Sequence, residues 1–289
     1  MIFQQKYNEY KQYFEKVLDK FIFDYCDEDN TIFSAIKYSI IDAGKRIRPV
    51  LCYATNEMLG GEKEKVNKFA LAIEMIHTYS LVHDDLPCMD NDDYRRGKLS
   101  THKKFNENIG VLSGDALLNL AFETALSSKL DEDEIFALSL LAKYAGPKGM
   151  IKGQVLDLEN EGNKDASEKE LIEIYHNKTA KLITVPILIA SAINNKKYFN
   201  QLSVYGYNLG MLFQFVDDLM DVESNFNKMG KTPNKDLEAD KLTSIRVYGL
   251  ERTKLLCNEF YLKCIDILNT IPNSDFLKEL TCFILNRRI

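Results

Sequence analysis

The sequence predicts an all-α fold, because apolar residues recur at helical spacing through most of the chain and strand signals are weak. No series of short alternating runs bounded by turn residues is present. Only six prolines occur, no serine- or proline-rich linker divides the chain, and no low-complexity tract is visible. We therefore expect a single all-α domain over residues 1–289, built as a bundle of helices.

Four segments and the C-terminal region carry the helical pattern. In the first, at 69–82, one stripe of the predicted helix contains Phe69, Ala72, Ile73, Ile76 and Ser80. The other segments show similar spacing of apolar residues: 114–130, 173–193, 204–223 and the last fifty residues. Most glycines and prolines fall where these helices would start, stop or bend.

Composition excludes several classes of function. With 45% hydrophobic and 28% charged residues the chain is ordinary for a globular protein, and its formal charge of −6 argues against a general nucleic-acid binder. The N-terminus turns polar too early for a signal peptide, and no run of about 18 apolar residues predicts a membrane span. Six cysteines without CxxC spacing indicate reduced thiols, so we expect a cytoplasmic protein.

The segment HDDLPCMDNDDYRRG, residues 83–97, concentrates negative charge. Its five aspartates are Asp84, Asp85, Asp90, Asp92 and Asp93. A solvated acidic loop would explain such a cluster, and so would a divalent-metal site that handles a phosphorylated ligand. In an unbroken helix Asp84 and Asp90 would lie about 120° apart, but Pro87 should bend or end the helix and let Asp90 fold back beside Asp84.

An acidic triplet recurs as DDLMD at 217–221, and we expect both copies to stand at the end of a long apolar helix. Asp217 and Asp221 are four residues apart, about 40° apart on one helix face, with Asp218 roughly 100° round. Because GMLFQFV precedes them, we expect this helix to run through the interior, where facing carboxylates need cations. Oxygen ligands with room for phosphates suit Mg²⁺, so the two copies, facing across a bundle, predict a clamp for Mg²⁺ and a diphosphate.

Basic residues that could bind the same diphosphate occur in four places. They are Arg95 and Arg96 after the first acidic motif, Lys45, Arg46 and Arg48 in AGKRIRP, Lys231 and Lys235 after the second motif, and Lys178 and Lys181 in HNKTAK. Arginine offers a planar fork to phosphate oxygens, and lysine a point charge. His77, two turns before Asp84 on nearly the same face, is either a core residue or a ligand-binding one.

The motifs GKRIRP, IHTYSLVHDDLPCMDNDDYRRG, LSGDALL, GMIKGQVLDLENE, HNKTAKLI and GMLFQFVDDLMD resemble those of the trans-isoprenyl diphosphate synthases in order and spacing. Within that family they look most like the bacterial farnesyl diphosphate synthases (geranyltranstransferases). The resemblance extends from about residue 35 to 250. It implies long helices around a deep central cavity, a homodimer, and the substrates isopentenyl diphosphate and an allylic diphosphate, dimethylallyl or geranyl.

The resemblance also implies roles for individual residues. It implies more than one Mg²⁺ ion, with Mn²⁺ as a substitute, held by Asp84, Asp90 and Asp217 with Asp85, Asp218 and Asp221 in support. It implies that the residues assisting ionisation of the allylic diphosphate are Arg95, Lys178 and Lys231, with Thr179 and Gln214 near the carbocation. It implies that isopentenyl diphosphate is bound by Gly44, Lys45, Arg48, His77 and Arg96.

The resemblance implies that product length depends on the residues just before the first acidic motif. In the family these form the cavity floor, and Tyr79 would lie roughly 7.5 Å below Asp84 along the helix. An aromatic residue there resembles the farnesyl-forming enzymes, so a C15 product is expected. An ideal helical wheel nevertheless places Ser80 closer to the Asp84 face, and a C20 (geranylgeranyl) product stays an alternative.

Two other functions remain open from the sequence. A class I terpene cyclase would share the fold and the first motif but usually lacks the second motif and the isopentenyl diphosphate residues. In a non-catalytic helical subunit we would expect some aspartates or arginines of these motifs to be replaced, and none is replaced here. No role is assigned to Cys88, Asp92 or Asp93, and Gln154 and Asp157 are either structural or part of the site.

Overall fold

The computed structural model of the chain describes residues 3–26, 30–41, 44–163, 165–194, 196–227 and 241–287, apart from the side chains of 223–227. The predicted all-α fold is confirmed: helices account for nearly all regular structure in these ranges, and the only strands there form one short hairpin. The chain divides into two compact units, residues 1–138 and 139–289. That the whole chain is a single domain stays a prediction.

The first unit contains a short hairpin among its helices. Its elements are α1 (Phe3–Tyr25), α2 (Thr31–Ile40), α3 (Ile47–Met58), a 3₁₀ turn (Lys63–Val66), α4 (Asn67–Asp84), β1 (Tyr94–Arg95), β2 (Lys98–Leu99), α5 (Thr101–Lys104) and α6 (Glu107–Ala125). Helix α7 (Glu132–Ala145) contains the boundary between the units. Helix α4 packs most extensively on α6 and is buried on most sides, which explains its apolar composition.

All regular structure in the described ranges of the second unit is helical. Its elements are α8 (Met150–Glu159), α9 (Glu168–Tyr175), a π turn (His176–Ala180), α10 (Lys181–Ile193), a 3₁₀ turn (Lys196–Tyr198), α11 (Phe199–Asn227), α12 (Ser244–Tyr248), α13 (Leu250–Leu268) and α14 (Asp275–Leu285). Helix α11 packs mainly on α13, α10 and the π turn. No helix in the described parts of the chain combines the length and the apolar composition that a bilayer crossing requires.

The two acidic motifs differ in their position on their helices. The first stands at the C-terminus of α4, as predicted. The second lies within α11, which continues to Asn227, so the prediction that it ends a helix was wrong. The physical reason is that the sequence after Asp221 contains no glycine or proline before Gly230, and nothing interrupts the helix at the motif.

Arg46 anchors the core of the first unit. Its Nη1 donates to Glu74 Oε1 at 2.8 Å, its Nε donates to Glu15 Oε1 at 2.9 Å, and its Nη2 donates to the carbonyl oxygen of Ile40 at 2.6 Å. The guanidinium also lies over the ring of Phe14. One buried arginine thereby connects α1, the C-terminus of α2 and α4, so Arg46 is a structural member of the AGKRIRP segment.

Candidate active site

The chain reverses direction at the first acidic motif. Helix α4 ends at Asp84, and the backbone N–H of Asp90 donates to the carbonyl oxygen of Asp84 at 2.9 Å. The N–H of Asp92 likewise donates to the carbonyl oxygen of Asp85 at 3.1 Å, and Pro87 lies exposed within the turn. This geometry confirms the prediction that Asp90 folds back towards Asp84.

The Asp85 carboxylate forms an ion pair with Arg95. Its side chain is buried, Arg95 Nε donates to Asp85 Oδ1 at 2.8 Å, and Arg95 Nη2 contacts the same oxygen. Burial raises the pKa of the Asp85 carboxyl, and the contact with Arg95 opposes that shift. Arg95 Nη2 also donates to Asp92 Oδ2 at 3.2 Å, which gives Asp92 a structural role that the sequence did not reveal. These contacts fix the direction of the chain as it leaves the motif.

Arg96 occupies the turn of the β1–β2 hairpin in a strained conformation. Arg96 and Gly97 have φ values of 55° and 78°, the left-handed pair that a two-residue type I′ turn requires. A non-glycine residue there costs about 1 kcal/mol or more. The turn brings the guanidinium against Gly44, where a Cβ would lie 3.0 Å from Arg96 Cζ. It also places Arg96 Nη2 3.4 Å from His77 Nε2.

His77 lies within a cluster of positive charge. Burial and the charges of Arg48 and Arg96 hold the pKa of His77 well below its usual value, so its imidazole is neutral at pH 7. Gly44 and His77 both lie against Arg96, and Arg48 is close enough to His77 to lower its pKa. That these residues and Lys45 bind one ligand stays a prediction. The Lys45 carbonyl oxygen accepts a hydrogen bond from the Tyr7 hydroxyl at 2.6 Å. Several cations beside a neutral imidazole suit a multiply charged anion.

Tyr79 and Ser80 have different surroundings. Tyr79 is 6% exposed, its ring lies edge-on to the ring of His83, and its buried hydroxyl has no hydrogen-bond partner among the described residues. Burial, aided by the charge of Asp84, raises the pKa of Tyr79 to about 12. Ser80 Oγ donates to the carbonyl oxygen of His77 at 2.9 Å, a bond within the helix. Tyr79 therefore presents a bulky buried ring, while Ser80 bonds its own helix.

Lys178 is paired and lies in an irregular stretch of helix. Its Nζ donates to Asp157 Oδ2 at 2.5 Å, and it belongs to the π turn between α9 and α10. Such turns often occur at functional sites. Helix α8 approaches this turn at Gly153, where a Cβ would lie 2.1 Å from the backbone nitrogen of Lys178. Asp157, for which the sequence left a structural role and a site role open, holds the Lys178 ammonium in place.

We expect Gly153→Ala to impair both stability and the placement of Lys178. The added methyl group meets backbone atoms, so α8 must move away from the π turn, at a cost of about 1–3 kcal/mol in unfolding free energy. Urea unfolding of the full chain measures this cost. Val155→Ala on the same helix is the control, because Val155 is exposed and its truncation opens no cavity. Equal stability of the two variants would contradict the close approach at Gly153.

Asp217 of the second motif contacts an arginine near the C-terminus. Arg287 Nη2 donates to Asp217 Oδ1 at 2.5 Å and to the carbonyl oxygen of Phe213 at 3.3 Å. The Arg287 guanidinium lies 3.9 Å from the centroid of the Phe213 ring. The sequence did not identify Arg287, because a contact between residues 70 positions apart leaves no local pattern.

Asp218 is enclosed by hydrogen-bond donors. Its Oδ2 accepts from the N–H and the Oγ of Ser244, each at 2.7 Å, and from the Tyr175 hydroxyl. Its Oδ1 accepts from Gln214 Nε2 at 3.1 Å, and Gln214 Oε1 accepts from Thr179 Oγ1 at 2.7 Å. Thr179 and Gln214 thus contact each other, and their position near a carbocation stays a prediction. Tyr175 and Ser244 were not identified from the sequence.

The carboxylates fit Mg²⁺ by their chemistry. Asp84 and Asp90 lie in one turn, and Asp217 and Asp221 lie one helical turn apart on α11; all offer the hard oxygen ligands that Mg²⁺ prefers. Within the ranges that the structure describes, no three carboxylate, imidazole or thiol groups complete a metal site by themselves. That is compatible with Mg²⁺, which takes one or two carboxylates and leaves other positions to water and phosphate. Lys231 lies outside the described residues.

The family model described as polyprenyl synthetase matches residues 29–266. A farnesyl diphosphate synthase of Micrococcus luteus is 41% identical over 288 residues, which cover 98% of this chain and 99% of the relative. Geranylgeranyl pyrophosphate synthase 7 of Arabidopsis thaliana, a chloroplastic protein, is 45% identical over 230 residues, which cover 77% of this chain and 66% of the relative. The relatives therefore include enzymes named for two product lengths.

Solved structures extend the similarity to the fold. A geranyltransferase of Helicobacter pylori, crystallised in complex with magnesium and isoprenyl diphosphate, superposes with a TM-score of 0.83 at 30% identity. The match covers 99% of this chain and 97% of the other. The fold is accordingly the all-α fold of the isoprenyl synthases.

Proposed function

The chain belongs to the polyprenyl synthetase family, a family of trans-prenyltransferases, and we propose that it joins isopentenyl diphosphate head-to-tail to an allylic diphosphate to give farnesyl diphosphate. Dimethylallyl and geranyl diphosphate are the proposed allylic substrates, and Mg²⁺ is the proposed cofactor. The observation that carries this proposal is that helix α4 presents His77 to the cationic cluster and ends two turns later in the acidic turn of Asp84 and Asp90.

The cationic cluster is the proposed site for isopentenyl diphosphate. Lys45, Arg48 and Arg96 supply positive charge, and the guanidinium forks match phosphate oxygens. His77, neutral at pH 7, can donate one ring N–H to a phosphate oxygen without adding to the repulsion among the arginines. The left-handed conformation of Arg96 belongs to the hairpin turn that brings its guanidinium beside Gly44 and His77.

The allylic diphosphate is the proposed ligand of the acidic motifs. Asp84 and Asp90 of the first unit and Asp217 and Asp221 of the second are the proposed Mg²⁺ ligands. Mg²⁺, when bound, acts as a Lewis acid that stabilises the negative charge of the diphosphate leaving group. Lys178, fixed by Asp157, adds positive charge to that leaving group, and Lys231 is proposed to do the same. Arg95 holds Asp85, so both groups support the turn that carries the ligands.

The proposed chemistry has three steps. The allylic C–O bond breaks and its electrons leave with the diphosphate. The double bond of isopentenyl diphosphate then donates its electron pair to the allylic carbocation and forms the new C–C bond. A proton lost from the adjacent carbon, taken up by the departing diphosphate, restores a double bond. Thr179 and Gln214 stabilise the cation through their oxygen dipoles, and exclusion of water protects it from capture.

Tyr79 is the residue proposed to limit the product to C15. We expect Tyr79→Ala to shift the end product from C15 to C20 or longer, because it removes a buried ring below the first motif. Tyr79→Phe keeps the ring and removes only the hydroxyl, so C15 should remain its end product. Chromatography of the dephosphorylated alcohols measures both results. The same product length from the alanine and phenylalanine variants would exclude Tyr79 as the determinant.

The proposed function is tested with purified full-length protein, Mg²⁺, isopentenyl diphosphate and, in separate reactions, dimethylallyl or geranyl diphosphate. The expected end product is a C15 diphosphate, and chelation of the metal with EDTA should abolish its formation. A C20 end product would keep the reaction class and indicate a geranylgeranyl diphosphate synthase, as the similarity to the Arabidopsis enzyme also allows. Absence of any elongated product would overturn the proposal. A homodimer and a cytoplasmic location stay predictions.

A further inference from the structure

We propose that Asp218, although it belongs to the second acidic motif, is a positioning residue that orients the Thr179 hydroxyl through Gln214 and is not a metal ligand. This inference rests on the proposed function, because it assigns Thr179 a task in the same reaction. It starts from one continuous set of hydrogen bonds in the second unit, which joins Ser244 and Tyr175 to Asp218, Asp218 to Gln214, and Gln214 to Thr179.

The oxygens of Asp218 are already surrounded by protein donors. Oδ2 accepts three hydrogen bonds, two from Ser244 and one from Tyr175, and Oδ1 accepts one from Gln214. The Asp218 residue as a whole is only 6% exposed. A metal ion at Oδ2 would have to displace these donors and so break three hydrogen bonds to a buried carboxylate. Asp217, by contrast, is contacted through an arginine side chain, which a cation can replace.

The Asp218 carboxylate determines which group donates and which accepts in the hydrogen bonds that link Asp218, Gln214 and Thr179. An ionised carboxyl group can only accept, so the Gln214 amide must present its NH₂ group to Asp218. The amide oxygen of Gln214 then faces Thr179, and it also can only accept. The Thr179 hydroxyl proton is therefore directed at Gln214 Oε1, which lies 2.7 Å from Thr179 Oγ1.

This polarity gives Thr179 a defined electrostatic character. With its one proton committed to Gln214, Thr179 Oγ1 turns its remaining lone-pair density away from the amide. That density can stabilise a developing positive charge on carbon. An amide oxygen is also a weak base, so the hydroxyl keeps its proton and does not become an alkoxide nucleophile. Asp218 thus acts at a distance of two hydrogen bonds, as a preorganised group that needs no rearrangement during the reaction.

Tyr175 and Ser244 hold the carboxylate from the other side. Tyr175 lies immediately before the π turn that contains Thr179, and Ser244 is the first residue of α12. The Tyr175 ring also packs edge-on against Phe215, a neighbour of Gln214 on α11. Asp218 therefore connects α12 and the end of α9 to the residues proposed to contact the cation, and its position cannot change without moving both.

Asp218→Asn tests the inference because it preserves shape and reverses polarity. The asparagine oxygen must face the Ser244 N–H, an obligate donor, so its NH₂ group faces Gln214. Gln214 then turns its amide over, and Thr179 accepts instead of donating. We expect kcat to fall about 100-fold. KM for both substrates should stay within about threefold, because ground-state binding is unchanged.

A titration with Mn²⁺ alone, followed by electron paramagnetic resonance, separates positioning from ligation. The Mn²⁺ affinity of Asp218→Asn should equal that of the wild type, whereas Asp217→Asn should weaken it by at least about tenfold. An equal loss in both variants would make Asp218 a ligand and overturn the inference. If Asp218→Asn does not fold, Gln214→Met breaks the same series of hydrogen bonds and leaves the Asp218 carboxylate in place. We expect it too to lower kcat about 100-fold and to keep the Mn²⁺ affinity of the wild type.

A double-mutant cycle shows whether Asp218 acts through Thr179. In a Thr179→Val background, which has no hydroxyl to orient, Asp218→Asn should cause no further loss of kcat. In a Thr179→Ser background, which keeps the hydroxyl, Asp218→Asn should again lower kcat. Additive losses in the valine background, or an unchanged kcat for Asp218→Asn alone, would overturn the inference. If the wild type forms no elongated product, the proposed function is wrong, and the Mn²⁺ titration still decides whether Asp218 binds metal.

Discussion

Asp84→Asn should lower kcat for chain elongation by about a thousandfold, the largest functional effect that we expect from a single substitution. The substitution removes the negative charge of a proposed Mg²⁺ ligand and preserves its size. Loss of about 4 kcal/mol of charge stabilisation at the leaving group corresponds to that factor. The fold should survive, because asparagine has the same size and keeps the backbone oxygen of Asp84 that accepts from the Asp90 N–H. Stopped-time product assays at saturating substrates measure kcat.

Asp93→Asn is the matched control. Asp93 lies in the same motif, but its side chain is 57% exposed and pairs with Lys103 at 2.9 Å. An exposed pair of this kind contributes little to stability, and Asp93 has no proposed contact with metal or substrate. Its kcat should therefore equal that of the wild type. Equal losses for Asp84→Asn and Asp93→Asn would mean that total negative charge, and not one ligand, supports the reaction.

Arg46→Met should destabilise the protein by about 3–5 kcal/mol, the largest effect on stability that we expect. Methionine fills much of the space of the arginine stem but leaves the buried carboxylate of Glu74, which is 2% exposed, without its cation. It also removes the donor to the carbonyl oxygen of Ile40. Urea unfolding measures the change in free energy, and the contact with Glu15 should matter less because that carboxylate is 26% exposed.

A compensating substitution distinguishes an uncompensated charge from lost packing. Arg46→Met combined with Glu74→Leu removes both buried charges and should recover at least about 2 kcal/mol of the loss. Glu74→Leu alone should be destabilising, since it leaves the Arg46 guanidinium buried beside one carboxylate instead of two. If the double variant is less stable than Arg46→Met, the cost arises from cavities and not from charge.

Local patterns predicted the helices and much of the first acidic motif. Apolar spacing indicated α4, α6, α10 and α11, and the effect of Pro87 on a helix sufficed to place Asp90 near Asp84. These successes share a cause: each depends on interactions between residues close in sequence. The end of α11 was mispredicted because the acidic motif was taken for a helix terminus. Local sequence argued against that, since no helix-breaking residue is present at the motif.

Contacts between distant segments could not be predicted from the sequence. Arg46 looked like a phosphate-binding residue, and only the structure shows its contacts with Glu15 and Glu74. Arg287 and Ser244 contact the second acidic motif from 70 and 26 residues away. Which buried polar groups pair with each other is determined by the folded structure. The sequence shows their chemical types but not their partners.

Release of diphosphate is the measurement that tests the central claim most directly. The protein is supplied with Mg²⁺ and with geranyl diphosphate alone, isopentenyl diphosphate alone, or both together. A chain-elongating prenyltransferase should release diphosphate rapidly only when both substrates are present, and one equivalent should appear for each new C–C bond. Release from geranyl diphosphate alone at the same rate would indicate a terpene cyclase, and no release under any condition would indicate a non-catalytic subunit; either result would contradict the proposed function.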